Sequence, residues 1–152
     1  MATNFLWGGA GAYLAGPTSW LTTELNSVAA SSANVCSTLG AAFQNTASYI
    51  YADAEFVFGA SVTITANAFL EVWLLRSIDG GTNYETGDAT HAPPRAPDAV
   101  LPVFAGTGTF RCGFSGMILP PAFYKPLLRN QTNISLPSAS NILRFSAYTE
   151  QY

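Results

Sequence analysis

The chain has 152 residues, enough for one domain that buries roughly 70% of its unfolded surface without a disulfide framework or a structural metal. Apolar residues make up 49% and charged residues 10%, against roughly 25% charged in ordinary soluble domains, a balance that favours a protein working against a partner surface. The net charge of −3, with no cluster of Lys and Arg, argues against nucleic acid as that partner.

The N-terminus, MATNFLWGGAGAYLAG, is apolar but has neither a preceding basic residue nor a long unbroken apolar run. It fits neither a signal peptide nor a transmembrane span. Phe5, Leu6 and Trp7 stand ahead of Gly8, Gly9 and Gly11, so residues 1–11 read as an extended arm that docks on a neighbouring subunit. Tyr13 and Trp20 join those three as the candidate interface. Short strands are expected at Tyr13-Leu14, Trp20-Leu21 and Asn34-Val35-Cys36. TTELNSVAA offers a helix cap at Thr22 or Thr23, but its β-forming surroundings favour loop or strand.

Residues 49–58 alternate with period 2: Ile50, Ala52, Ala54, Phe56 and Phe58 inward, Asp53 and Glu55 outward. SVTIT at 61–65 continues with Val62 and Ile64 inward, after a bend at Gly59. The next strand, FLEVWLLRS, differs. Leu70, Val72 and Leu74 form one apolar row; Phe69, Trp73 and Leu75 form another, interrupted only by Glu71. An antiparallel strand with one wet face alternates apolar and polar. One row belongs to the core, and the other needs a cover, either a neighbour or another segment.

After the Asp79-Gly80-Gly81 turn, the polar stretch 82–98 with its HAPPRAPD core reads as a long exposed loop. LPVFAG and TGTFRCGF predict two short strands broken around Gly106 and Gly108. ILPPAFYKPLLRN, with three prolines, predicts a strand end, a turn and one helical turn. NISLP and NILRFSAY close the chain, with Leu143, Phe145 and Ala147 inward and Arg144, Ser146 and Tyr148 outward. About eight short strands separated by Gly, Pro and Asn predict an all-β, single-domain chain (residues 1–152), a sandwich or a barrel.

Catalytic constellations are scarce. His91 is the only histidine and lies in the Pro-rich loop, and neither GxSxG nor HExxH occurs. GGAGAYLAG and GTGTFR both miss the glycine spacing of a phosphate-binding loop. Asp79, Glu85 and Asp88 could chelate calcium, though a polar hairpin tip explains them as well. Asp53 and Glu55 are neighbouring carboxylates, suited to acid–base work or to a solvated strand face. Cys36 and Cys112 form no CxxC pair and read as buried thiols. No catalytic residue, cofactor or metal is therefore expected, and the chain does not read as an enzyme. Residues 1–75 hold Glu24, Asp53, Glu55 and Glu71 and no basic residue (−4), while the remainder holds six basic and five acidic residues (+1). The asymmetry is either scatter or a sign of complementary subunit surfaces.

EVWLLRSIDGGTNYETGD, then PDAVLPVF, then ILPPAFYKPLLRNQTNISLPSASNILRFSAYTEQY resemble small structural proteins of tailed bacteriophages, the capsid decoration or cement proteins. The likeness spans residues 50–152 and rests on strand–turn patterns. In that family the stretch at 127–132 leads into the final hairpin. The resemblance implies a jelly-roll-like β-sandwich of antiparallel strands and a virion protein that stabilises the capsid. It implies binding to the major capsid protein and to copies of itself, as a homotrimer or dimer. Such a protein sits on the capsid surface after synthesis in the bacterial host cytoplasm, and binds neither nucleic acid nor membrane. The alternative is a phage tail or fibre-associated sandwich that binds host glycans or other virion proteins.

Overall fold

Strands form where the apolar rows run, and they end at glycine, proline and asparagine. The computed structural model describes residues 6–7, 18–30, 36–45, 49–148 and 150–151. In chain order the elements are β1 (Leu6–Trp7), β2 (Thr18–Leu21), a 3₁₀ turn (Thr23–Leu25), β3 (Phe43–Gln44), β4 (Tyr51–Val57), β5 (Val62–Ile64) and β6 (Phe69–Ser77). They continue with β7 (Ala99–Pro102), β8 (Gly106–Gly108), β9 (Arg111–Ile118), β10 (Phe123–Gln131), β11 (Ile142–Tyr148) and β12 (Glu150–Gln151). The fold is all-β and every strand pair is antiparallel.

Two four-stranded sheets, β3-β10-β6-β7 and β2-β11-β4-β9, make a sandwich, with two-stranded ribbons β1-β12 and β5-β8 beside it. Leu70, Val72, Leu74 and Leu128 from the first sheet share one core with Ala52, Phe56, Leu143 and Phe145 from the second. Leu21 from β2 and Leu25 from the 3₁₀ turn are fully buried in the same cluster. Each large apolar side chain so buried contributes about 1.5–3 kcal/mol. The facing expected for β4 and β11 holds from Ala52 to Phe58 and across Leu143, Phe145 and Ala147. Ile50 is an exception at 48% exposed; it precedes the first pair of β4, at the rim of the sandwich.

Where turns were expected in ILPPAFYKPLLRN, the chain forms β10, nine residues long and hydrogen-bonded to β6 along its whole length. Pro126 is tolerated because of the edge it faces. Its carbonyl accepts from Gly40 N (3.1 Å), so its nitrogen points toward the irregular run before β3, where no ladder donor is required. β3 itself pairs only with Phe123 and Tyr124. LPVFAG and TGTFRCGF supply three strands, β7, β8 and β9. NISLP is loop, though Leu136 within it is buried. Gly59 does more than bend the chain: a Cβ there would strike the Ala139 carbonyl oxygen and the backbone at Ser140 and Asn141.

Loops are pinned from inside by asparagines. Asn45 donates to the Tyr49 and Leu119 carbonyls, and Asn141 accepts from Gly59 N while donating to Pro137 O. Asn130 ties together Val28, Thr132 and Ile134. All three are buried, and every bond named satisfies a backbone or hydroxyl group that burial would otherwise penalise. Of the expected strands, Tyr13-Leu14 and Asn34-Val35 lie outside the described residues, and Cys36 forms an isolated bridge with Arg129.

Candidate functional site

The second apolar row of β6 is covered by the chain itself. Trp73 and Leu75 from β6, Leu127 from β10 and Cys36 form a separate buried cluster on the outer face of their sheet, with Tyr84 and Ala92 packed on it. The stretch 82–98 lies over that face as a strap, and Pro93 within it is buried. The Trp73 indole Nε1 donates to Arg95 O (3.2 Å). The sequence showed that a cover was needed; the structure identifies it.

Arg95 fastens the strap. Its guanidinium meets Asp98 (Nη1–Oδ1, 2.9 Å) and Glu85 (Nη2–Oε2, 2.9 Å), and Nη2 also donates to Leu74 O (3.0 Å). Asp98 Oδ2 accepts from Leu74 N (2.7 Å), and Glu85 exchanges hydrogen bonds with the Arg76 backbone. β7 pairs with β6 only from Phe69 to Val72. Beyond it, these three side chains occupy the edge that a longer β7 would have covered. An open strand edge is a template for unwanted pairing, and charged groups over it blunt that hazard.

Over the opposite wide face, the outside of β2-β11-β4-β9, no strap lies among the described residues. Cross-strand partners share a face, so the register sets its rows. Tyr148, Tyr51 and Ile118 form one row, with the two tyrosine rings stacked at 5.6 Å. Ser146 and Asp53 form the next, Asp53 accepting from Gly116 N (3.0 Å). Arg144 and Glu55 follow, and then Ile142, Val57 and Arg111. Every outward residue of β4 and β11 keeps partial exposure, and Ile118 is 69% exposed.

Two of the four acids in residues 1–75, Glu55 and Glu71, find cations inside the molecule. Glu71 pairs with Arg129 across β6 and β10 (2.5 Å), with the guanidinium over the Trp73 ring at 5.3 Å. Glu55 pairs with Arg144 across β4 and β11, and with Arg111 at 3.6 Å. Acids of the first half thus meet cations of the second half of the same chain.

The expected interface residues are dispersed. Trp20 is a correction: it is 6% exposed, its ring packed on Phe43 and Phe145 in the core, so it presents no surface to a partner. Its strand faces the other sheet, and burial of an aromatic outweighs proximity to a terminus. Leu6 and Trp7 pair through their backbones with Gln151 and Glu150, so this part of the expected arm is tied to the chain's own C-terminal strand. Phe5 and Tyr13 lie outside the described residues.

The three acids considered for calcium serve separate partners. Hydrogen bonds from the Asn83 amide and the Ser77 hydroxyl hold Asp79 well below the usual carboxylate range. Glu85 binds Arg95, and Asp88 accepts from the Thr90 hydroxyl and amide. His91 stands on the surface with Nδ1 3.3 Å from Asp88 Oδ1. Among the described residues no three His, Cys, Asp or Glu side chains converge. Burial pushes the Cys36 thiol up to about 11, against an opposing pull from Arg129, and the Cys112 thiol up to about 12. Both are buried, in different clusters. Glu85 was weighed only as a calcium ligand, and Arg95 and Asp98 were not singled out in the sequence; the one signal of their pairing was an acid three residues after an arginine in a Pro-rich stretch. No family model, no curated protein and no solved structure matches this chain.

Proposed function

We propose that the chain is a capsid decoration protein of a tailed phage, attached to the major capsid protein and stabilising the assembled head without catalysing a reaction. The observation that carries this reading is the contrast between the two wide faces. The molecule covers one face with its own strap, while the outward residues of the other keep exposure and no described residue forms a strap over it, with the Tyr148–Tyr51–Ile118 row at the end from which β11 runs on toward β12 and its partner β1. A broad, half-apolar sheet face suits docking on another protein better than enclosing a small molecule.

The strand order supports a jelly-roll-like reading of the sandwich. Counting only the strands of the two large sheets, the orders are first-eighth-third-sixth and second-seventh-fourth-fifth, the nesting of two Greek keys. Weak contacts repeated on a fixed lattice add through effective concentration, and closed oligomers, a trimer or a dimer, match lattice axes.

The test mixes purified protein with heads assembled without it, followed by sedimentation, imaging and heating. Co-sedimentation and greater heat resistance are expected, and Tyr51→Ala with Ile118→Ser should weaken uptake while preserving the fold. Heads that neither take up the protein nor gain heat resistance would turn the assignment toward a tail or fibre module, in which case glycan binding is the next assay.

A further inference from the structure

The strap at 82–98 is attached unlike the rest of the fold. Its one β-bridge is internal, between Asp88 and His91. Among the described residues its links to the body are Glu85 N to Arg76 O (3.0 Å), Arg76 N to Glu85 Oε2 (3.2 Å), Cys36 N to Ala89 O (3.0 Å), Trp73 Nε1 to Arg95 O, Asp98 N to Val72 O (2.9 Å), the Arg95 and Asp98 side chains on Leu74, and Lys125 over the Tyr84 ring. Arg95 joins the two ends of the strap, because one guanidinium ties Glu85 near its start, Asp98 at its end, and the β6 backbone between. At the start, Gly80 and Gly81 have φ of 75° and 85°, conformations glycine adopts without penalty, and a Cβ at Gly80 would meet nothing within 4 Å. Space is therefore open at Gly80, beside a turn that Ser77 and Asp79 hold through Gly81, Thr82 and Asn83.

We propose that residues 82–98 form a cover that opens as a unit while the sandwich stays folded, with Arg95 as its latch. Segments held by few ladder bonds and solvent-exposed polar contacts open at lower free energy than the core they lie on. The latch side chains are about a third exposed, at 33% for Arg95, 41% for Glu85 and 30% for Asp98, so water replaces much of what they lose on release. Opening uncovers Trp73, Leu75, Leu127 and the Cys36 thiol.

The chain carries its own reporters. Cys36 lies under the strap and Cys112 in the main core, and both thiols are held protonated by burial in the closed state. Iodoacetamide labelling of the full chain, resolved by peptide mass spectrometry, reads each thiol separately. In the unaltered protein, Cys36 should react faster than Cys112 and depend less steeply on urea. Arg95→Ala should raise the Cys36 rate about tenfold, the order expected when partly solvated charge-assisted hydrogen bonds are removed, and leave the Cys112 rate and the circular dichroism melt unchanged. Arg95→Lys, which keeps the charge without the fork, should fall between. Equal rates for the two thiols in the unaltered protein would overturn the proposal, as would Arg95→Ala moving both together or neither. The first comparison stands even where a variant fails to fold.

Discussion

Asn130→Ala should destabilise the fold by about 2–4 kcal/mol, although it removes only a short polar side chain. The magnitude follows from which partners are orphaned. Asn130 is 1% exposed at the end of β10, where the chain leaves the sheet. Its Nδ2 donates to Val28 O (3.1 Å) and Ile134 O (2.7 Å); its Oδ1 accepts from Thr132 N (3.0 Å) and Thr132 Oγ1 (2.7 Å). After truncation, Val28 O still accepts from Leu136 N (2.9 Å), and Ile134 O still accepts from Thr132 Oγ1 (2.9 Å). Those carbonyls lose a second partner, not their last. The Thr132 amide loses its acceptor while buried, which costs about 1–3 kcal/mol, and the small void left behind adds about 1 kcal/mol. Asn133→Ala is the control: Asn133 is exposed and bonds Thr65 N at the surface, so its loss should stay below about 1 kcal/mol. Urea unfolding with a shared m-value measures both. A loss under about 1 kcal/mol for Asn130→Ala, or equal losses for the two variants, would refute the accounting by orphaned groups.

Leu143→Ala and Phe145→Ala, buried on β11, should each lose about 2–5 kcal/mol, and Arg144→Ala, outward between them and paired with Glu55 in a half-exposed setting, less than about 1 kcal/mol; equal shifts in denaturant midpoint would contradict the assigned facing. Asp88 is held down to about 2 by the Thr90 hydroxyl and then the Thr90 amide. A depressed carboxyl stabilises above its unfolded value, 3.8, and that contribution fades as pH falls toward about 2, so a carboxyl NMR titration should place its midpoint well below those of unbonded aspartates, and Thr90→Ala should raise it.

β4 and β11 were legible in the sequence because each has one dry face, so period 2 is printed in the residues themselves. β6 was legible as a contradiction, two dry faces on one strand, but its resolution was not. The cover is a loop whose side chains look like ordinary solvated charge, and only the meeting of Glu85, Arg95 and Asp98 over Leu74 gives them a task. β10 was hidden by Pro126, since the rule against proline in interior strands assumes both edges carry a regular ladder, and here one edge does not. The buried asparagines were invisible for a related reason: residue type reports an average environment, whereas Asn130 is inside because three backbone segments converge on it. Trp20 was read as part of an interface, yet Trp20 and Leu21 are both buried in the same core, beside the bulge in the pairing of β2 with β11. Of the candidate interface, the pairing of Leu6 and Trp7 with the distant C-terminal strand leaves no trace in local sequence.

The interior positions of β10 and β11 fix when this molecule can take shape. Each sits in the middle of its sheet, β10 between β3 and β6 and β11 between β2 and β4, yet both come from the last thirty or so residues of the chain. While the protein is being synthesised, β2, β3, β4 and β6 emerge with no central strand to join, and Glu55 and Glu71 emerge before the arginines that will neutralise them. Neither large sheet can close until residues 123–148 have left the ribosome. With pairings this distant along the chain, loop-closure entropy must be overcome before contacts repay it, so folding is expected to be slow and to wait for β10 and β11. During that wait β6 has β7 and the strap to pair and cover it, but its core row and the edge meant for β10 stand open, a sticky edge in a crowded cell.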